Sequence, residues 1–141
     1  MKVKMKKNLL FIIPSLHSGG AEKSLVTLLS LIDRGRYNVD LLIFRKEGLF
    51  VGQIPGYVNV IEAGEDYLYF DGSLTAAMKH FLPRGKIPKA IKRLRYSAAL
   101  SNRDADRRNR LAWRLLSANL PRLPRVYDAS IGFLEGTAVY C

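Results

Sequence analysis

Two apolar segments joined by an amphipathic helical pattern limit the possible folds of this chain more than any other feature. Residues 8–13 and 39–44 are almost wholly apolar, which is typical of strands buried on both faces of a parallel sheet. Between them, four apolar residues recur at the spacing of one helix face: Leu25, Leu28, Leu29 and Ile32. A strand, a glycine-containing loop, a helix and a second strand form a βαβ unit, which closes right-handed onto a parallel sheet.

The rest of the chain continues this alternation of strands and helices. Short apolar runs predict two more strands, at residues 57–62 and 128–134. Helical spacing predicts a short turn and three longer helices, at residues 48–54, 73–82, 87–98 and 104–120. The sequence therefore predicts an α/β fold, with a Rossmann-like, mainly parallel sheet flanked by helices. A chain of 141 residues has the usual size of one domain, so we expect a single domain over residues 1–141.

The pattern also predicts local details of two helices. Ser18 is the expected N-cap of the first helix, and Gly35 is expected to end it. In the helix that begins near residue 87, four residues form the expected apolar face, opposite the basic residues: Ile87, Ile91, Leu94 and Ala98.

The net charge of +11 is concentrated in a basic helical segment at residues 84–125. This density of cations favours an anionic partner, such as lipid headgroups, nucleotide phosphates or nucleic acid. Five residues are candidate contacts with an anionic membrane, the last as an interfacial anchor: Lys89, Lys92, Arg93, Arg95 and Trp113. The alternative is that they are solvated faces of helices packed on the sheet. No RNP-type aromatic motif, zinc finger or clear helix-turn-helix supports nucleic-acid binding, so we do not expect it.

The N-terminus resembles the start of a signal peptide, because lysines precede an apolar run. Pro14 interrupts that run early and no small-residue cleavage site follows, so a buried strand is the better interpretation. No segment reaches the ~18 apolar residues that span a bilayer. We therefore expect a cytoplasmic protein whose membrane contact is at most peripheral, on the inner face. The single cysteine, Cys141, excludes an internal disulfide, and no cluster of Cys and His predicts a metal site.

The loop between the first strand and the first helix contains the most informative motif, the adjacent pair Gly19 and Gly20. Glycine there lets the backbone approach a ligand and adopt positive φ, and the helix N-terminus behind it presents N–H groups to an anion. In open α/β sheets, ligands bind at the carboxyl ends of strands, where this loop lies. The alternative is a tight turn that only needs glycines. The spacing matches neither the dinucleotide-binding G-x-G-x-x-G fingerprint nor the P-loop.

The run from Leu9 to Leu25, with Gly19-Gly20-Ala21-Glu22, resembles the opening of family-4 glycosyltransferases of the GT-B fold. Residues 127–136 are similar to a later strand and loop of the same N-terminal domain. The resemblance implies two Rossmann-like domains that face a cleft, of which this chain is the N-terminal, acceptor-side half. The C-terminal domain, which holds the nucleotide sugar, is the missing partner, and the chain stops where the next helix is expected.

By this resemblance, Ser18, Gly19 and Gly20 form the loop that approaches the donor diphosphate. The nucleotide sugar is a substrate, and the resemblance implies no cofactor and no metal held by an acidic motif. Four residues are candidates for the acceptor side: His17, Glu22, Glu135 and Gly136. Each carboxylate or imidazole among them has a simpler interpretation: His17 as polar surface, Glu22 as a partner of the helix dipole, and Glu135 as a solvated loop carboxylate.

The expected function is the N-terminal part of a glycosyltransferase. It moves a sugar from a nucleotide-sugar donor to a polysaccharide or lipid-linked acceptor. No catalytic residue is assigned within this chain, which we expect to be inactive alone. The alternative, from a different class, is a non-catalytic basic module that binds an anionic membrane or nucleic acid.

Overall fold

The computed structural model describes residues 5–133. The chain folds as two compact units. We call the described residues 5–63 and 121–133 the sheet unit, and residues 64–120 the helical unit. The helical unit lies in sequence between the third and fourth strands, a division that the sequence pattern does not indicate.

The sheet unit contains a four-stranded parallel sheet, and its strand order is that of half a Rossmann-like fold. Its strands are β1 (Lys7–Ile13), β2 (Tyr37–Ile43), β3 (Asn59–Glu62) and β4 (Ala129–Gly132). The spatial order is β3-β2-β1-β4, and each neighbouring pair is parallel. The predicted α/β class with a parallel sheet is thereby confirmed. A 3₁₀ turn, Val51–Gln53, occurs where the short helical turn was expected.

Helix α1 (Gly20–Leu31) covers one face of this sheet. Leu25 and Leu29 are fully buried in a core with the inward residues of β1 and β2: Phe11, Ile13, Val39, Leu41 and Ile43. Burying a leucine side chain contributes about 1.5–3 kcal/mol. The predicted helix face is wrong at one position, because Leu28 is 41% exposed and Val26 is buried instead. The helix face that meets the sheet therefore contains Leu25, Val26 and Leu29.

Both predicted ends of α1 are wrong. The N-cap is Gly19, not Ser18, and no side chain of the described residues caps the helix there. The helix ends at Leu31, with Ile32 in an extended conformation. Gly35 lies in the following turn, where its N–H donates to Asp33 Oδ1 at 2.8 Å. The turn therefore uses an aspartate side chain in place of a glycine cap.

The helical unit consists of α2 (Glu65–Asp71), α3 (Leu74–Phe81), α4 (Ile87–Leu100) and α5 (Ala105–Ser117). The last three were predicted. The sequence pattern missed α2, which is only two turns long and too short for helical periodicity to emerge. Within residues 5–133, no helix combines the length and apolar character needed to cross a membrane.

The orientation of α4 reverses the sequence prediction. The residues expected to be buried are exposed: Ile87 by 57%, Ile91 by 48% and Leu94 by 50%. The buried residues are instead Ala90, Arg93, Tyr96 and Ala99. Helix α4 packs against α3 and α5. The tertiary packing thus outweighs the amphipathic pattern of the isolated helix.

Candidate functional site

The topology places a candidate binding edge at the carboxyl end of β1. The chain builds outward from β1 to β2 and β3, then returns to place β4 on the other side of β1. This reversal of strand order is where open α/β sheets form a ligand crevice. The loop at residues 14–19 leaves β1 at this point and leads into α1. The motif singled out from the sequence therefore lies where the fold predicts a site.

Backbone hydrogen bonds tie this loop to the segment that follows β2. Leu16 N–H donates to the Glu47 carbonyl at 3.0 Å, and Phe50 N–H donates back to the Leu16 carbonyl at 3.1 Å. Leu49 N–H donates to the His17 carbonyl at 3.2 Å. Leu16 itself is fully buried in the core. The first half of the loop is thus fixed by the sheet unit before any ligand binds.

Gly48 makes this close approach possible. Its φ of +118° is a conformation that L side chains rarely adopt. A Cβ atom built there would lie far inside van der Waals contact with the Leu16 carbonyl. Sequence reasoning missed Gly48, because nothing in its local pattern shows which backbone it approaches.

Gly19 and Gly20 do not need glycine for conformational reasons. The φ of Gly19 is −82°, and Gly20 is the first residue of α1, so the predicted positive φ is wrong. A Cβ at Gly19 would meet only the movable end of the Glu22 side chain. A Cβ at Gly20 would meet no described atom within 4 Å. The described fold therefore does not explain the glycine at position 20, and the backbone there is open to approach.

The first turn of α1 presents backbone N–H groups at this edge, as the first turn of any helix does. Ser18 is exposed beside it. Glu22 is partly buried, and its carboxylate lies over Gly19. This is the position of a carboxylate that interacts with the helix dipole. The Glu22 carboxylate also puts a negative charge next to the predicted phosphate loop. An anionic ligand would have to displace this side chain.

His17 lies beside a carboxylate that sequence reasoning missed. Its Nε2 is 3.3 Å from Glu47 Oε1, and the two side chains are 61% and 52% exposed. Nearby along the same edge, Lys46 Nζ contacts Glu62 Oε1 at 2.9 Å. Glu47 follows β2, and Glu62 is the last residue of β3. A carboxylate at the end of a predicted strand is the sequence signal by which both residues could have been found. The edge thus offers exposed hydrogen-bonding groups around the loop.

Two acceptor-side candidates, Glu135 and Gly136, lie outside the described residues. The last described residue of this region is Phe133, whose N–H donates to the Ile12 carbonyl at 2.8 Å. Its ring lies 6.2 Å from that of Phe11. Trp113 belongs to α5, but its side chain is also outside the described part of the structure.

The basic candidates on α4 have different environments. Lys92 and Arg95 are exposed. Lys89 is partly exposed and its ammonium contacts Asp66 Oδ2. Arg93, predicted to contact an anion, is instead 5% exposed and donates to the Ser97 hydroxyl and the Gly72 carbonyl. Burial lowers the pKa of this guanidinium from its ordinary value, and its internal hydrogen bonds show that it supports the helix packing.

Lys89 belongs to a polar cluster centred on Asp66 in the helical unit. His80 Nε2 lies 3.1 Å from Asp66 Oδ1, and Lys86 Nζ lies 2.7 Å from the same oxygen. His80 is buried and stacks on Tyr69 with ring centroids 3.9 Å apart. Burial raises the pKa of Asp66, but the hydrogen bonds from Lys86, Lys89 and His80 outweigh it and hold that pKa well below its usual range. The cluster links α2, α3 and the start of α4.

A second buried carboxylate, Asp40, lies in the middle of β2. Its Oδ2 accepts a hydrogen bond from the Tyr127 hydroxyl and lies 3.1 Å from Arg125 Nε. Its Oδ1 finds no hydrogen-bond partner among residues 5–133. Burial, followed by the hydrogen bond to Asp40, raises the pKa of Tyr127 above its usual range. This network ties the segment before β4 to the sheet.

Replacing Tyr127 by phenylalanine is expected to cost about 1–2 kcal/mol, because the buried Asp40 carboxylate loses a donor. The tyrosine pKa is higher in the folded chain than its ordinary value near 10, so its contribution is complete below about pH 10 and is lost as the pH rises further. Urea unfolding at pH 8 and pH 10.5 measures both effects. Tyr37→Phe is the control, and equal losses in the two variants would contradict the role of the Asp40 contact.

No protein-family model, curated protein sequence or solved structure matches this chain. Among residues 5–133, no group of three or more His, Cys, Asp or Glu side chains is arranged to hold a metal ion. The functional interpretation therefore depends on the geometry of the loop at the reversal of strand order.

Proposed function

We propose that this chain is the acceptor-side, Rossmann-like domain of a glycosyltransferase of GT-B type that uses a nucleotide-sugar donor. One observation carries the proposal. Gly20 begins α1 at the reversal of strand order, its φ is not positive, and a side chain there would meet no described atom. A glycine that the described fold does not require, at this location, is well explained by a ligand that approaches the backbone closely.

In this proposal, the N–H groups of the first turn of α1 face the diphosphate of the donor. They stabilise the negative charge that develops on the leaving nucleotide when its bond to the sugar breaks. The hydrogen bonds from the segment after β2 hold residues 14–17 in place, so the backbone that leads into Gly19 and Gly20 is already positioned, and the Glu22 side chain moves aside when the diphosphate binds. In this proposal, the sugar donor itself binds to a second Rossmann-like domain that faces the same cleft.

The acceptor hydroxyls bind along the same edge of the sheet. His17 and Glu47 form an exposed hydrogen-bonding pair there, suited to contact with a saccharide. Glu135 and Gly136 remain candidates from the sequence. We propose a polysaccharide or lipid-linked acceptor and a cytoplasmic location, at the inner face of the membrane where the acceptor is lipid-linked.

The test compares Gly20→Val with the wild-type chain. Valine at this position should leave the melting temperature nearly unchanged, because the space around it is open. ¹⁵N NMR titration with UDP and GDP should shift the amides of residues 18–22 in the wild type, and these shifts should be lost in the variant. In the complete product of the gene, turnover of a nucleotide-sugar panel should fall on the order of 100-fold, because the valine side chain keeps the diphosphate away from N–H groups that stabilise it.

Gly56→Val is the matched control, because a side chain at this second glycine also meets no described atom within 4 Å. It should bind and turn over donors like the wild type. Shifts confined to the helical unit, unaffected by Gly20→Val, would reject the phosphate loop. Together with absence of turnover by the complete product, they would favour a non-catalytic basic module.

A further inference from the structure

Helix α4 exposes an apolar stripe along its outer face. We define this α4 stripe as Ile87, Ile91, Leu94 and Ala98, which share one face at the spacing i, i+4, i+7 and i+11. Three of them are large and about half exposed, by 57%, 48% and 50% in chain order. Single exposed leucines are common on protein surfaces, but a continuous row on one helix face marks an interaction site.

The apolar stripe continues into a groove between α4 and α5. Ala98 lines that groove together with Leu111 and Leu115 of α5. Two arginines, Arg95 and Arg114, also line it, and none of the described lining residues is acidic. Stripe and groove therefore form one apolar surface with cations on its border.

The charge around this surface has one sign. Helix α4 contains no acidic residue between Ile87 and Leu100. Lys92 and Arg95 are exposed, and each directly follows a stripe residue in the sequence. Arg114 stands on the α5 side. An apolar row bordered by lysine and arginine is the arrangement of helices that lie in the interface of an anionic bilayer.

We propose that the α4 stripe and its cationic border dock on an anionic lipid bilayer, with Ile87, Ile91 and Leu94 inserted at the level of the headgroups. Each cation near the surface strengthens binding to anionic lipid roughly fivefold. Removing the exposed half of an isoleucine or leucine from water adds a further factor of roughly five per side chain. This surface works independently of the loop at Gly20, so either proposal can fail without the other.

A bilayer explains the surface better than other anionic partners. A nucleic acid would use the cations but gains little from exposed isoleucine and leucine. A second copy of this chain would bring the same cations against one another, which costs free energy. Lipid headgroups satisfy the cations while the acyl region takes up the apolar side chains.

The experiment measures sedimentation of the full 141-residue chain with vesicles of phosphatidylcholine alone or with 30% phosphatidylglycerol. The wild type should bind the anionic vesicles and bind the neutral ones at least tenfold more weakly. The variant Ile87→Ser/Ile91→Ser/Leu94→Ser should lose binding on the order of 100-fold. The variant Lys92→Gln/Arg95→Gln should bind anionic vesicles roughly 25-fold more weakly than the wild type does, and its weak binding to neutral vesicles should change little.

Matched controls come from α1 and the turn after it. Leu28→Ser/Leu31→Ser removes exposed leucines, 41% and 77% exposed, and Arg34→Gln/Arg36→Gln removes exposed arginines. Both should bind vesicles like the wild type. Equal losses in these controls would overturn the proposal, since binding would then follow total charge and hydrophobicity. A dimer that the triple variant dissociates, without vesicle binding by the wild type, would assign the stripe to a second copy instead.

Discussion

Replacing Gly48 by alanine is expected to destabilise the sheet unit by about 3 kcal/mol or more. The φ of +118° alone costs an L residue about 1–3 kcal/mol. The added Cβ would also overlap the Leu16 carbonyl, a backbone group that can move only if the whole loop shifts. The hydrogen bonds between residues 14–17 and the segment after β2 would break as the two segments separate. Urea unfolding followed by circular dichroism measures the loss.

Gly52→Ala is the control for this prediction, because Gly52 lies in the adjacent 3₁₀ turn, and a Cβ there would meet no described atom within 4 Å. Its stability should change by less than about 1 kcal/mol. The proposed function predicts in addition that Gly48→Ala weakens binding of UDP or GDP, since the substitution displaces the loop that leads to Gly20. A fully stable Gly48→Ala protein would show that the loop does not require this close approach.

Replacing Asp66 by asparagine is expected to destabilise the helical unit by about 2 kcal/mol. The carboxylate contacts Lys86, Lys89 and the buried His80, and all three lose their charged partner. Removing one partner of a fully buried ion pair costs about 3–5 kcal/mol of stability. The expected loss is smaller here, because both lysine side chains are partly exposed to solvent. Asp106→Asn is the control, because Asp106 is exposed in the first turn of α5. It should lower the free energy of unfolding by only about 0.5 kcal/mol.

The same carboxylate gives the stability a dependence on acid pH. The folded chain holds the pKa of Asp66 below its ordinary value of 3.8, so the folded state binds that proton less tightly than the unfolded state. The stability from Asp66 is therefore complete above about pH 4 and is lost as the pH falls further. Unfolding free energies at pH 7 and pH 3 should differ less in Asp66→Asn than in the wild type. An unchanged difference would assign acid sensitivity to other carboxylates.

The sequence was a reliable guide where a pattern has a local physical cause. Apolar runs of strand length located the four strands of the described sheet within about two residues. The signal was strongest in the central strands β1 and β2, where burial favours an almost continuous apolar run. The glycine pair between β1 and α1 directed attention to the edge that the topology marks as a ligand site. The assignment of this edge to a glycosyltransferase stays a prediction.

Other features could not be predicted, because they depend on which segments meet. Asp40 interrupts an apolar strand, and only the fold shows that it contacts Tyr127 and Arg125, which lie more than eighty residues away. Glu47 likewise reaches His17 only because β2 lies beside β1. Periodicity within one segment contains no information about such partners.

The sequence by itself determined the α/β class, the parallel strands and the position of the glycine loop, since apolar spacing and glycine act locally. Only the tertiary structure decided which face of α4 is buried. Periodicity identified a face containing Ile87, Ile91 and Leu94, but in the fold, where α4 packs against α3 and α5, the buried residues are Ala90, Arg93, Tyr96 and Ala99. An amphipathic pattern identifies an apolar face, and the neighbouring helices determine whether that face packs inside the protein or remains open to a partner.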